Sequence, residues 1–314
     1  MDIFSRLTAL FLTSILLLTA ACASKPAEGS EIDGSAAIKT VVSFDALFEL
    51  AVMIGGDRAS VSNIMPPGAD AHHFEPRVRD LALLSTADVF IVCGLGFEPW
   101  AESAVSAAAN DGLIICTVSR GIEPIIPSDE DEAHDPSHHD HDDREEMYDP
   151  HIWLSPSCAI IMAENIAGAF IEADPEGEEL YRSNLAGFSS RLSGLIAEYS
   201  GKFGLLENRT LVTGHAVFAY LCRDFGLIQN SVEGVFSEGE PSARALAELV
   251  DFCRENNITS ILAENRANTL VAQTLAAESG AVVRTIYTLE SAEDGLTYLE
   301  RMEHNLAVIC ESLT

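Results

Sequence analysis

An α/β protein of two lobes, each a mainly parallel sheet flanked by helices and the two joined by a long rigid helix, is the architecture this sequence predicts. Three observations lead there. At 314 residues the chain is long enough for two domains with separate cores. Apolar runs of strand length alternate with helix-like stretches in two separate blocks, the pattern of parallel sheets covered by helices. Between the blocks lies a long periodic segment, 178–203, with Leu180, Leu185, Phe188, Leu192, Leu195, Ile196 and Tyr199 on one broad face.

In the first block, residues 38–44, 89–93 and 113–118 read as buried strands, and 44–54, 79–85 and 100–109 as helices. Ser155 and Pro156 open a helix over 157–173 as N-cap and first-turn proline. The second block begins with a strand at 210–213 and helices at 216–224 and 243–256. A strand at 260–263 and a helix at 270–279 follow, with Gly280 as the helix C-cap. A strand at 282–287 and a helix over 296–313 close the chain. The expected division is a leader over 1–22, a tether over 23–37, a first lobe over 38–173, a connecting helix over 174–207 and a second lobe over 208–314.

The formal net charge is −31, and residues 129–146 alone carry ten acids against Arg144. Such a surface attracts cations and repels nucleic acid, which is excluded as a partner. At the N-terminus, Arg6 precedes an apolar stretch over 7–21, too short for a membrane span of ~20 residues. Small residues then lead to Cys22, so export and processing are expected. Ala20-Ala21-Cys22 looks like a bacterial lipobox, with Thr19 where leucine is usual. That reading makes Cys22 a lipidated N-terminus anchored to the outer face of the cell membrane; the alternative is an ordinary cleaved leader. Cys93, Cys116, Cys158, Cys222, Cys253 and Cys310 are scattered singly and read as buried thiols, with a Cys93 to Cys116 bridge left open.

The chemistry lies with the histidines, because neutral imidazole is the commonest transition-metal side-chain ligand. His72 and His73 stand in the loop Gly68-Ala-Asp-Ala-His-His-Phe-Glu-Pro76, His151 precedes a helix in Asp149-Pro-His-Ile-Trp-Leu-Ser155, and His215 follows a strand in Val212-Thr-Gly-His215. Ligands of open α/β sheets sit beyond the carboxyl ends of strands, where these loops can converge in a cleft between the lobes. A second group, His134, His138, His139 and His141, belongs to the acidic run. Those four either sit in a solvated insert without a role or bind metal as a weak accessory site. Binding there requires neutral rings and weakens below about pH 6. Gly94-Leu-Gly96 lacks the rest of a dinucleotide fingerprint and reads as a turn, and Trp100 and Trp153 read as packing residues beside the cleft.

These segments resemble the solute-binding proteins of zinc and manganese ABC importers over about 38–313. The loop 68–76 is similar to the family's Gly-x-Asp-Pro-His-x-Tyr-Glu-Pro segment, with Ala71 for proline and Phe74 for tyrosine, and His72 falls on the ligand position, with His73 as the adjacent fallback. The segment 149–154 matches Asp-Pro-His-x-Trp-Leu and makes His151 a ligand; Gly214 to Tyr220, followed by 224–227, makes His215 the third. The resemblance implies a fourth ligand just after the last strand, where Glu290 stands in place of the usual aspartate, with water as the substitute and Glu264 as a rival carboxylate. Three imidazoles with one carboxylate or water suit zinc, whereas manganese favours more oxygen. In the resembling family histidine at the position of His215 accompanies zinc and glutamate accompanies manganese, and an acidic histidine run accompanies zinc receptors.

The implied function is an extracytoplasmic, monomeric zinc receptor that delivers its ion to an integral permease with a cytosolic ATPase. A manganese receptor of the same family is the alternative. Two other classes stand beside it. One is a zinc hydrolase, since three protein ligands and an open position also describe catalytic zinc, although no Gly-x-Ser-x-Gly or His-Glu-x-x-His sequence supplies the machinery. The other is a surface adhesin, a role first given to some relatives of the family.

Overall fold

In a computed structural model, the described residues are 38–67, 69, 71–127, 148–233, 243–264, 269–292 and 295–314. The first half begins with strand β1 (Ile38–Val42), helix α1 (Asp45–Gly55), a 3-10 turn (Gly56–Arg58) and strand β2 (Ala59–Asn63). Helix α2 (Val78–Leu81), strand β3 (Val89–Val92), helix α3 (Ala101–Ala108) and strand β4 (Ile114–Thr117) follow. The four strands form one parallel sheet in the order β2-β1-β3-β4, with Ile38 opposite Ala59 and Val89 opposite Ile114.

A 3-10 turn (Ile152–Leu154) leads into helix α4 (Pro156–Ala173), and after a second turn (Pro175–Gly177) the 27-residue helix α5 (Glu178–Gly204) runs between the two sheets. Ser155 caps α4 by accepting the Cys158 amide on its Oγ at 3.0 Å, and Pro156 opens the first turn. The second half contains strand β5 (Thr210–His215), helix α6 (Ala219–Phe225), strand β6 (Ile228–Glu233) and helix α7 (Ala243–Glu255). Strand β7 (Ser260–Glu264), helix α8 (Thr269–Ser279), strand β8 (Val282–Ile286) and helix α9 (Tyr298–Ser312) complete it. Its parallel sheet has the order β6-β5-β7-β8.

The period of two along a strand explains how each sheet is covered. In β3, Val89 and Ile91 face a large core shared with α1, α4, α5 and α9, while Phe90 and Val92 face a smaller one with Leu84 and Ala104. In β7, Leu262 joins the large core and Ile261 and Ala263 a separate cluster with Leu249, Cys253 and Leu275. Among the described residues no helix is long and apolar enough to cross a membrane.

Two strands escape the sequence reading: β2 and β6. The helix expected over 79–85 is instead the single turn α2 followed by a 3-10 turn at Leu84–Thr86. The strand expected over 210–213 continues to His215, so the helix after it starts at Ala219 rather than 216. The six cysteines of the described residues are free; five are buried and Cys310 is half-buried.

Candidate metal centre

His72, His151 and His215 come together. Each offers one ring nitrogen within 4.8 Å of the other two. His72 lies on the segment between β2 and α2, His151 just before the Ile152–Leu154 turn, and His215 is the last residue of β5. Ring centroids are 5.1 Å apart for His72 and His151, 5.3 Å for His151 and His215, and 5.7 Å for His72 and His215. Nε2 of His72 stands 3.2 Å from Nε2 of His151. For tetrahedral zinc with Zn–N near 2.0–2.1 Å, neighbouring ligand nitrogens lie about 3.3 Å apart, so this pair is already at coordination spacing. Oε1 of Glu290 lies 3.8 Å from Nε2 of His72, at the more open side of the cluster, where the two side chains are 18% and 16% exposed.

His151 is wholly buried, and one carboxylate oxygen of the equally buried Asp149 accepts both its backbone N–H and its ring Nδ1, each at 2.8 Å. That bond assigns the proton to Nδ1 and leaves the lone pair of Nε2 facing His72. Burial, with His72 adding to it, pushes the His151 pKa down to about 3, so the ring is neutral and able to ligate in ordinary solution. The loop that carries it is pinned from the other half of the chain, where the Tyr220 hydroxyl donates to the Asp149 carbonyl at 2.6 Å and accepts from the Ile125 amide at 3.0 Å.

His215 is held through its backbone. Its carbonyl accepts from Thr213 Oγ1 at 2.7 Å and from Gln229 Nε2 at 2.9 Å, while Gln229 Oε1 accepts the Phe218 amide at 2.9 Å. Beneath His72, the Phe97 ring meets the imidazole edge-on at 5.3 Å and packs with Phe44 and Trp153. Phe97 belongs to the turn expected at Gly94-Leu-Gly96. Buried Glu98 secures that turn by accepting from Ser43 Oγ (2.6 Å) and the Cys93 and Gly94 amides (2.8 and 3.1 Å). Gly94 has φ +84°, and a Cβ there would meet Thr117 and Ser119 at 2.6 Å, so glycine alone fits. Trp153 is a packing residue as expected, and its indole also donates to the Thr288 carbonyl at 2.8 Å. Trp100 packs against Phe74 and Phe90.

His73 is exposed and lines a separate open groove of about 650 Å³ with Ile64, Phe74 and Arg77. The accessory histidines His134, His138, His139 and His141, Cys22 and the side chain of Glu264 lie outside the described residues. Sequence reasoning missed Gln229, Glu98 and Arg301. A trace of the last was present, since Arg301 and Asn305 are polar residues about one turn apart among Tyr298, Met302, Leu306 and Ile309 of α9, and both are fully buried.

The chain matches, over residues 40–312, a family described as the periplasmic component A of the zinc-uptake complex, ZnuA. A Treponema pallidum protein described as metal-binding is 41% identical over 301 residues, covering 94% of this chain and 92% of its own. The high-affinity zinc uptake system protein ZnuA of Bacillus subtilis is 31% identical over 316 residues, covering 99% and 98%. Among solved structures, the laminin-binding protein Lmb of Streptococcus agalactiae, described as a bifunctional protein with adhesin and metal transporting activity, superposes with a TM-score of 0.77. It is 32% identical, with 88% of this chain and all of that one covered. With two parallel sheets and α5 between them, and with the family match spanning both halves, this chain is a member of the ZnuA family of solute-binding proteins.

Proposed function

We propose that this chain captures zinc outside the cell membrane through His72, His151 and His215, with Glu290 as the fourth ligand, and hands it to an ABC importer. The observation that carries the reading is the convergence of three imidazoles from three separate segments, one of them buried with its tautomer fixed by Asp149. Three nitrogens and one carboxylate suit zinc, whereas manganese prefers more oxygen. The family is one of receptors for uptake, so capture and delivery rather than catalysis is the activity proposed. In this reading 38–173 and 208–314 are the two lobes, 174–207 connects them, and displacement of one lobe or loop releases the ion.

Metal analysis of the purified protein in competing zinc and manganese tests the assignment. The wild type is expected to retain zinc, and His215→Glu to shift retention toward manganese. Retention of manganese by the wild type would sink the zinc assignment.

The finer parts of the proposal have their own tests. Lipidation at Cys22 anchors the receptor near an integral permease and its ATPase, and Cys22→Ala then moves the protein from the membrane to the soluble fraction. The accessory histidines between 129 and 146 gather additional zinc, and deletion of that run then lowers the zinc stoichiometry; an unchanged stoichiometry removes the accessory role.

A further inference from the structure

Glu290 sits on the segment that follows β8, and the conformation of residues 287–291 is imposed from outside. Leu289, buried beside it, has a φ of +60°, a region that leucine disfavours. Three sets of hydrogen bonds hold the loop against that preference. Asn305 on α9 brackets Tyr287, accepting its amide at 2.8 Å and donating to its carbonyl at 2.7 Å. The Trp153 indole, two residues from His151, donates to the Thr288 carbonyl. On the far side of Glu290, Arg301 Nη1 donates to the Ser291 carbonyl at 2.9 Å.

Arg301 is fully buried, and its other terminal nitrogen does not stay in the second half. Nη2 donates to Asp45 Oδ2 at 3.1 Å and lies 3.6 Å from Glu49 Oε1, both carboxylates standing on α1 of the first half, 256 positions away for Asp45. Glu49 Oε2 in turn accepts the Tyr298 amide at the first turn of α9. One guanidinium therefore ties α1 of the first half to the residue after Glu290. The planar fork of arginine suits this, because it fixes two directions at once where an ammonium would fix one.

We propose that Arg301, anchored by Asp45 and Glu49, is the positioning residue for Glu290. It registers the Glu290 loop against the half of the chain that supplies His72 and His151, so that coordination by Glu290 and closure of the two halves depend on the same group. The proposal rests on the reading of Glu290 as a zinc ligand. Lysine at 301 keeps the charge near Asp45 and loses the second direction, and with it the bond to the Ser291 carbonyl that holds the backbone beside Glu290.

The test is a double-mutant cycle on the full chain with zinc as the probe, reading dissociation constant and release rate by competition with a chelator. Arg301→Lys is expected to weaken zinc about 10-fold, as removal of an outer partner does, chiefly through faster release. Glu290→Ala is expected to weaken it by a similar factor, and the double variant to be within about 2-fold of Glu290→Ala alone. The d–d spectrum of bound cobalt(II) should change in the same way in Arg301→Lys and Glu290→Ala, a response that a role confined to stability would not produce. Multiplying factors in the double variant, or an unaltered affinity in Arg301→Lys, overturns the positioning role while Glu290 remains a ligand. An unaltered affinity in Glu290→Ala overturns the ligand itself and the inference with it. Should Arg301→Lys not fold, as judged by thermal melting of the metal-free protein, Asp45→Asn completes the same cycle from the first half with the same expectations.

Discussion

The first-half sheet, β2-β1-β3-β4, and the second-half sheet, β6-β5-β7-β8, repeat one strand order, yet they bring side chains to the candidate metal centre by different routes. The first half sends His72 and His151 on segments that leave the sheet altogether. The second half uses the end of β5 for His215 and, in the proposed coordination, the segment after β8 for Glu290. A residue at a strand end inherits its position from the ladder, whereas a residue on an excursion needs fastenings of its own. His151 has them in Asp149 and Tyr220 and is wholly buried. The histidine cluster therefore has a floor, His151 and His215, and a more open edge, His72 with the proposed ligand Glu290 beside it, each about one-sixth exposed.

If floor and edge differ in this way, their loss must differ in size. His151→Ala is expected to weaken zinc binding by more than about 100-fold, beyond what removal of an outer partner costs, because it removes a wholly buried donor whose orientation Asp149 fixes in advance. Glu290→Ala is expected to weaken it about 10-fold, since water can take the open position. Titration of both variants against a chelator of known affinity decides the matter. Equal losses would break the distinction.

Asp149→Asn sharpens the same point without touching a ligand. The amide is isosteric, but it can turn its NH2 toward Nδ1 and so drive the ring proton to Nε2, where it blocks coordination. Zinc affinity is expected to fall about 10- to 100-fold, while the metal-free protein remains folded. A variant that binds zinc as the wild type does would mean that Asp149 serves the loop rather than the ring.

In each half three strands could be read from sequence and one edge strand could not. β3, with four consecutive buried residues, and β4 and β8, with apolar pairs, stand out as apolar runs. β2 is Ala-Ser-Val-Ser-Asn and β6 Ile-Gln-Asn-Ser-Val-Glu; each lies at the edge of its sheet, where one side of pairing and part of the burial are lost. Missing β6 hid Gln229, whose side chain holds the His215 carbonyl. The three histidines were legible because each carries a local segment with its own pattern. Their convergence is a property of chain topology, which sequence gives only through the rule that ligands lie beyond strand ends. The Arg301 tie was legible only as the polar pair Arg301 and Asn305 on α9, because its partner Asp45 stands 256 positions away and no local pattern marks a contact of that kind.

The smallest effect concerns the attachment of each half to α5. The first half is tied by Asp174, which accepts Arg58 Nε and Nη2 at 2.7 and 2.8 Å and the Tyr181 hydroxyl at 2.7 Å. Gly177 permits this close approach, since a Cβ there would meet both the Tyr181 ring and the Asp174 carboxylate. In the second half, the ion pair between Arg191 of α5 and Glu303 of α9 is exposed on both sides and screened by solvent. The Arg58 hydrogen bonds hold the Asp174 pKa below its ordinary 3.8. A carboxylate depressed on folding adds stability that is fully present above the unfolded pKa and is lost as pH falls through the folded one. Asp174→Asn should therefore lower the melting temperature by a few degrees at neutral pH, and its deficit relative to wild type should shrink as pH is lowered through and below 3.8. Glu303→Gln should change melting little at any pH. An Asp174→Asn deficit that stays constant between neutral and strongly acidic pH would assign the effect to packing around Tyr181 and remove the ionic difference between the halves.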